Sequence, residues 1–332
     1  MKNRIQFSEK YNELTASEHR LLDKAAVLVK KFVELSPKIS KTNYRTRDAH
    51  AKRYADVHGT LKINSVADAN FKQIFNESSY TAVIRISNAA MQVTAGKDVA
   101  PAYGFSIKLL KFKDNKEFNL PLVNFPLFPT NSVSKFLKLF IALNSYKISK
   151  KQYGILGNFR IPGVLIKLGS TVLDAFKSPV LKNMIKTAFN KDKNPLAFTY
   201  HSVGCYRMGD YIVKFMLEPP RDKALSKKLK NKTQKEAVHE IFLKNKLVYS
   251  LKMQYCRNEE LVNDLTKMWP KKKFIEIGKL AIEPDSFLNP EKAEVLSYNP
   301  FENPELLMPV GRMQKTRDKI YKVSVDTRRI KI

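Results

Sequence analysis

Cysteine is almost missing from this sequence, with two residues, Cys205 and Cys256, among 332. Two thiols cannot build the disulfide framework of a small secreted scaffold, and their separation matches no zinc-finger spacing. Glycine-rich phosphate loops of the Walker type and RNA-recognition signatures are likewise absent from the sequence, which removes the common nucleotide- and RNA-binding classes. There is no internal repeat and no strand–helix–strand alternation, so a solenoid and a doubly wound parallel sheet are both disfavoured. The best apolar run, Phe136 to Leu143, is short and broken by Lys138, far from the ~18 residues that a spanning helix needs. The first residues, MKNRIQFSEKYNEL, lack the apolar stretch of a secretory leader, and a soluble cytoplasmic protein is expected.

Acidic residues are scarce too: 31 Asp and Glu face 60 Lys and Arg, for a formal charge of +29. The lysines run from Lys2 to Lys331 without a polarised tail. A dispersed excess of this kind reads as a solvated surface. No specific nucleic-acid partner is expected, while the charge leaves a weak association with anionic surfaces open.

What is present is a core. Hydrophobic residues at 43% and aromatics at 11% suffice for a folded domain. Leu21, Leu22, Ala25, Ala26, Leu28, Val29, Phe32 and Val33 follow helical spacing, which predicts an amphipathic helix over about 17–35 with Ser17 as N-cap. Strands are predicted at 81–87, 103–112, 118–128, 196–208, 211–217, 246–255 and 273–282, with Asp114-Asn115 and Gly209-Asp210 as hairpin turns. A helical insert is expected over about 133–188, further helices at 234–245 and 313–321, and a proline-rich loop at 284–309. The count of hairpin-linked strands favours one α+β domain, an antiparallel β-barrel or sandwich wrapped by helices.

Two short segments carry the chemistry. In Arg317-Asp-Lys-Ile-Tyr321 the arginine and tyrosine stand one helical turn apart. As an exposed pair they are worth only a few tenths of a kcal/mol (~0.2–0.5). A phenol oxygen beside a guanidinium is, however, a hard anionic ligand suited to ferric haem iron. In Arg47-Asp-Ala-His50-Ala-Lys52 an arginine precedes a histidine by three residues, and a histidine can shuttle the proton that peroxide cleavage requires.

These segments, taken with five others in chain order, resemble the tyrosine-ligated haem catalases, in particular their small catalase-related peroxidase branch. The others are Val83-Ile-Arg85-Ile-Ser87, Tyr103-Gly-Phe-Ser-Ile-Lys108, Leu122-Val-Asn-Phe-Pro-Leu-Phe128, Tyr200-His-Ser with Gly209-Asp210, and Trp269-Pro270 with Ile277-Gly-Lys-Leu-Ala-Ile282. The resemblance implies a single catalase-like haem domain over 1–332. It implies haem b with Tyr321 as axial ligand and Arg317 as the cation that keeps the ligand ionised. Arg47, Arg85 and Arg328 would hold the haem propionates, and planar guanidinium forks suit carboxylates. His50 would be the proton shuttle, Ser87 would fix its ring, Asn124 would donate to peroxide, and Phe128 and Phe136 would pack near the haem.

The implied activity is reduction of hydrogen peroxide or organic hydroperoxides, with a small organic reductant as second substrate. One alternative is rearrangement of fatty-acid hydroperoxides, as in allene oxide synthase-like relatives. Those carry threonine before the distal histidine, where this sequence has Ala49. Another is a basic nucleic-acid- or membrane-binding protein with a degenerate haem site. Two departures stand out. Asn124 lies two residues before Pro126 instead of three, and Arg53 replaces the usual glycine after His-Ala-Lys, with a short insertion expected before His58-Gly59. The sequence ends at Ile332, eleven residues after Tyr321, so neither a C-terminal helical extension nor an NADPH site is expected.

Overall fold

The computed structural model describes residues 3–66, 68–96, 102–154, 193–226, 232–270 and 273–330, and a few isolated positions between them. Among the described residues there are ten strands: β1 Arg53–Ile63, β2 Ser79–Asn88, β3 Tyr103–Lys113, β4 Lys116–Val123, β5 Tyr200–His201, β6 Cys205–Met208, β7 Tyr211–Glu218, β8 Leu247–Tyr255, β9 Ile275–Ile282 and β10 Pro309–Val310. All pairings are antiparallel, in the order β7-β5-β4-β3-β2-β1-β9-β8, and β8 returns to β7 from Val213↔Tyr255 to Glu218↔Ser250. Eight strands therefore close a barrel, while β6 and β10 extend beside β7. Closure decides between the barrel and the sandwich.

The barrel interior is filled by side chains. Phe105, Phe118, Phe215, Tyr200 and Tyr249 are buried there with Ile84, Ile86 and Leu251, as an eight-stranded barrel requires. Because alternate side chains point to opposite faces of a strand, the inward Ile84 and Ile86 send Arg85 and Ser87 outward. Inward Tyr103 and Phe105 do the same for Gly104. The site is built on this outer face. Asp114 and Asn115 (φ 52° and 57°) both adopt left-handed conformations, the geometry of a two-residue hairpin matched to strand twist.

Four longer helices surround the barrel: α1 Ala16–Ser40, α2 Val133–Tyr153, α3 Gln234–Lys244 and α4 Arg312–Arg329. Leu22 and Ala25 of α1 pack with Val133 and Leu137 of α2 and Met313 of α4. One turn on, Val29, Phe32 and Val33 meet Ile148, Ile320 and Val323. Among the described residues no helix is long and apolar enough to cross a membrane.

Several expectations are corrected. The N-cap of α1 is Thr15, not Ser17. Glu18 N–H donates to Thr15 Oγ1, and Thr15 N–H donates to the Glu18 carboxylate, a reciprocal box visible as Thr-x-x-Glu. The helix also continues past residue 35 to Ser40, through Pro37. Pro37 cannot donate to the Val33 carbonyl, and the Ser36 hydroxyl does so instead at 2.7 Å. Residues 53–63 form a single strand, so no loop interrupts the run from Arg53 to His58-Gly59. His58 stands exposed on β1 opposite Val83, and the register shift between Arg53 and Ala55 absorbs the departure as a bulge at Tyr54. The strand expected at 118–128 ends at Val123, and 196–208 divides into a 3₁₀ turn and strands β5 and β6. The loop at 284–309 contains a short helix, Pro290–Val295, and α4 runs eight residues beyond Tyr321. Of the helical insert, 133–153 is helix, while most of 155–192 lies outside the described residues.

Removing the Thr15 hydroxyl should cost about 1 kcal/mol, the usual loss for an N-cap, and Ser17→Ala much less. Urea unfolding of the two variants checks this. Equal losses would return the cap to Ser17.

Candidate functional site

His50 precedes β1 with φ at 55°, a left-handed conformation that a bulky residue seldom adopts. Arg85 supports it, donating from Nη2 to the His50 carbonyl at 3.2 Å. The ring lies against β2 and β3. Nδ1 is 3.2 Å from Ser87 Oγ, and a Cβ added to Gly104 would fall 2.6 Å from Nδ1. Glycine at 104 is therefore the space in which the imidazole sits, and the predicted His50–Ser87 pair is assembled. Burial, followed by the charges of Arg85, Arg317 and Arg47, lowers the His50 pKa from 6.5 to about 4. The imidazole is neutral near pH 7, and Arg317 on α4 acts on the same site.

Helix α4 presents the other half. Arg317 Nη2 donates to Tyr321 Oη at 2.8 Å, as the i,i+4 spacing predicts. Burial opposes the Arg317 charge, but the Tyr321 and Tyr206 phenols and the bond to Tyr321 outweigh it, and its pKa is raised. Ser324 and Arg328 continue the stripe three and seven residues on, which is one helix face. Ser324 Oγ donates to Asp48 Oδ1 at 2.6 Å, so this face is latched to the segment just before His50. Burial raises the Asp48 pKa, with the Ser324 bond opposing.

Arginines 47, 85 and 328 come together, although they lie far apart in sequence. Arg47 has its pKa pushed well down by burial and then by Arg85 and Arg328. Arg328 is pushed down by burial, with Arg85 adding to the effect and Glu294 opposing it. Nearby carboxylates answer them incompletely: Arg47–Glu294 is 3.6 Å, Arg85–Asp56 3.7 Å and Arg53–Asp56 3.4 Å. Four guanidinium groups thus meet Asp56 and Glu294, with Asp48 bonded to Ser324. Arg47 Nη1, Arg85 Nε and Nη1, and Arg328 Nε are buried without a hydrogen-bond acceptor. Such orphaned donors are rare in folded proteins and call for an explanation. A ligand carrying two carboxylates supplies the missing charge and the missing acceptors. Haem b is such a ligand, and the donor set therefore fits it.

Asn124 sits at the edge of this site. Its carboxamide oxygen accepts from Tyr103 N–H at 2.8 Å and its own N–H donates to Tyr103 O at 3.2 Å, continuing the β3–β4 ladder. This bond fixes the carboxamide by its oxygen. Phe128 and Phe136 pack edge to face at 5.2 Å, beside Leu265, Met313 and Ile320, so both belong to the helical layer next to Tyr321. Among the described residues no group of three His, Cys, Asp or Glu side chains converges as a metal site.

The sequence reading missed Asp48, Asp56, Gly104, Glu294, Gln314 and Ser324. Ser324 was accessible from helix spacing once Tyr321 and Arg328 were singled out. The acids and Gly104 owe their places to contacts between distant segments, which leave no local signal.

The sequence matches no family model and no curated protein. Solved structures do resemble the fold. A fungal catalase matches with TM-score 0.61 at 17% identity, over 96% of this chain and 63% of its own. Catalase A from Saccharomyces cerevisiae matches with TM-score 0.61 at 15% identity, over 98% and 67%. A bacterial catalase matches with TM-score 0.59 at 15% identity, over 99% and 64%. This chain has the catalase fold, and it spans less than two thirds of the length of the fungal and bacterial proteins.

Proposed function

We propose that this chain of catalase fold is a haem b-dependent catalase-related peroxidase that reduces hydrogen peroxide or organic hydroperoxides. One observation carries the reading: Arg47, Arg85 and Arg328 keep buried, acceptor-less donors, while Arg85, Arg317 and Arg47 lie near enough to a neutral His50 to act on it and Arg317 is bonded to Tyr321. Haem, when bound, would supply the two electrons that cleavage of the O–O bond consumes.

The chain's own residues do the rest. Tyr321 Oη, held by Arg317, would supply an oxygen ligand to the haem iron. Arg47, Arg85 and Arg328 would hold the two propionates by charge-assisted hydrogen bonds. The Ser87 hydroxyl engages His50 Nδ1, which assigns proton exchange to Nε2. His50 takes a proton from one peroxide oxygen and delivers it to the other, which leaves as water. A second peroxide or a small organic donor then returns the electrons. Asn124 would hydrogen-bond the peroxide through its NH₂ group. The two buried free thiols, Cys205 and Cys256, suit a reducing compartment and support a cytoplasmic setting.

The test is peroxide consumption by ferric-haem-loaded protein as a function of pH. A His50 pKa of about 4 lies below the ordinary value, so the neutral, proton-accepting form persists as pH rises and is lost as pH falls. The rate should be level from about pH 6 to about pH 9 and decline through an acid limb. Propionates on Arg47 and Arg85 would cancel charges that hold the value down, placing this limb above about pH 4. A rate that increases toward acid, or protein that takes up no haem, would overturn the proposal.

A further inference from the structure

Gln314 is a buried side chain of α4 that the mechanism above does not use. It lies one turn before Arg317, on the face that carries Arg317 and Tyr321. Its Oε1 accepts from Arg317 Nη1 at 2.5 Å, and its Nε2 donates to the carbonyl of Cys205 in β6 at 3.3 Å. Arg317 Nη2 then reaches Tyr321 Oη at 2.8 Å. An unbroken line of hydrogen bonds thus connects a strand backbone to the tyrosine oxygen.

A second feature belongs to the same arrangement. A Cβ on Gly204 would stand 2.3 Å from Gln314 Cδ and 2.5 Å from its Cγ and Nε2. The glycine therefore makes the room in which the carboxamide lies. Gly204 has no left-handed backbone conformation, so space and not backbone freedom is what a larger residue would remove. The start of α4 is fixed independently: Gly311 N–H donates to Asn12, Arg312 N–H to Asn263, and the Arg312 guanidinium to both oxygens of Glu18.

We infer that Gln314 is a positioning residue for the iron ligand. It holds the Arg317 guanidinium by one edge so that the other edge faces the Tyr321 oxygen, and it is seated in a cradle that Gly204 leaves open. A guanidinium with one anchored nitrogen cannot rotate about its stem, so the donor at Tyr321 stays in place whether or not the ligand is bound. Carboxamide suits the task because it accepts from the arginine and donates to the strand with opposite ends of one rigid group. The inference rests on the assignment of Tyr321 as the haem ligand.

Three variants of the full chain loaded with ferric haem test it. Gln314→Leu removes the acceptor at similar volume, Gly204→Ala displaces the carboxamide without altering α4, and Gln314→Glu restores an acceptor for Arg317. The first two should weaken haem retention about 10- to 100-fold, the range for losing a group that orients a ligand, and should shift the ligand-to-iron charge-transfer band. Gln314→Glu should recover the band. Thermal unfolding of the haem-free proteins runs alongside. A loss of stability with an unchanged band and unchanged haem retention in Gln314→Leu and Gly204→Ala would overturn the positioning role. Tyr321→Phe separates the two failures. A band indifferent to that change refutes the ligand assignment, whereas a band that responds to Tyr321→Phe but not to Gln314→Leu refutes only the role of Gln314.

Discussion

Tyr321→Phe should retain the fold and lose the haem. The phenyl ring fills nearly the same space, and the half-buried position keeps its contacts on α4. What disappears is the one oxygen to which Arg317 Nη2 donates. Loss of groups that merely orient a metal ligand costs about 10- to 100-fold in affinity, so loss of the ligand itself should exceed about 100-fold. The variant also leaves the Arg317 guanidinium facing an apolar ring, an uncompensated buried charge. Expression with haem supplementation, followed by absorption spectroscopy of the purified protein, provides the measurement. An unchanged Soret and charge-transfer spectrum would remove Tyr321 from the site while leaving the barrel untouched.

The second large effect concerns His50, which separates a peroxide enzyme from a haem carrier. In His50→Ala the arginines that would hold the propionates and the bond from Arg317 to Tyr321 are preserved, so haem should be retained with a nearly unchanged resting spectrum. Reaction with hydrogen peroxide should slow by at least ~10²-fold, the lower range for loss of a positioned acid–base group. His58→Ala is the control, because His58 is exposed on β1 and should have little effect. Stopped-flow mixing with peroxide compares the two. A wild-type rate in His50→Ala would reject the proton-shuttle mechanism. Binding to polyanions that falls steeply with salt, without any haem spectrum, would then favour a basic binding protein instead.

Sequence and structure agree at most periodic signals, although the short-range Thr15–Glu18 box was missed in favour of Ser17. The strands around Arg85, Gly104 and Lys214 were legible because apolar residues alternate and turn residues bound them. The Arg317–Tyr321 bond was legible because both residues lie on one helix. Strand β1 was not. Its run Arg53-Tyr-Ala-Asp-Val-His-Gly mixes charge with small residues, because one face meets the arginine cluster while the other meets the barrel. Pro37 concealed the last turn of α1, since the compensating hydroxyl of Ser36 acts through a tertiary contact as well, accepting from Thr46 N–H at 2.7 Å. The charge balance at Arg47 could not be read locally. It depends on Asp56 and Glu294, which only the folded chain brings near.

The latch between Asp48 and Ser324 joins residues 276 positions apart. The segment before β1 supplies His50 and α4 supplies Tyr321, so a nascent chain that has not yet produced α4 holds only one half of the candidate site. On the proposed haem reading, capture of the cofactor would therefore wait for synthesis of α4. Once captured, the cofactor would favour the native over the unfolded chain, the more so the tighter it binds. Chains ending before Arg312 would gain nothing from it, and that difference alone would let proteolytic quality control separate them from chains that carry α4.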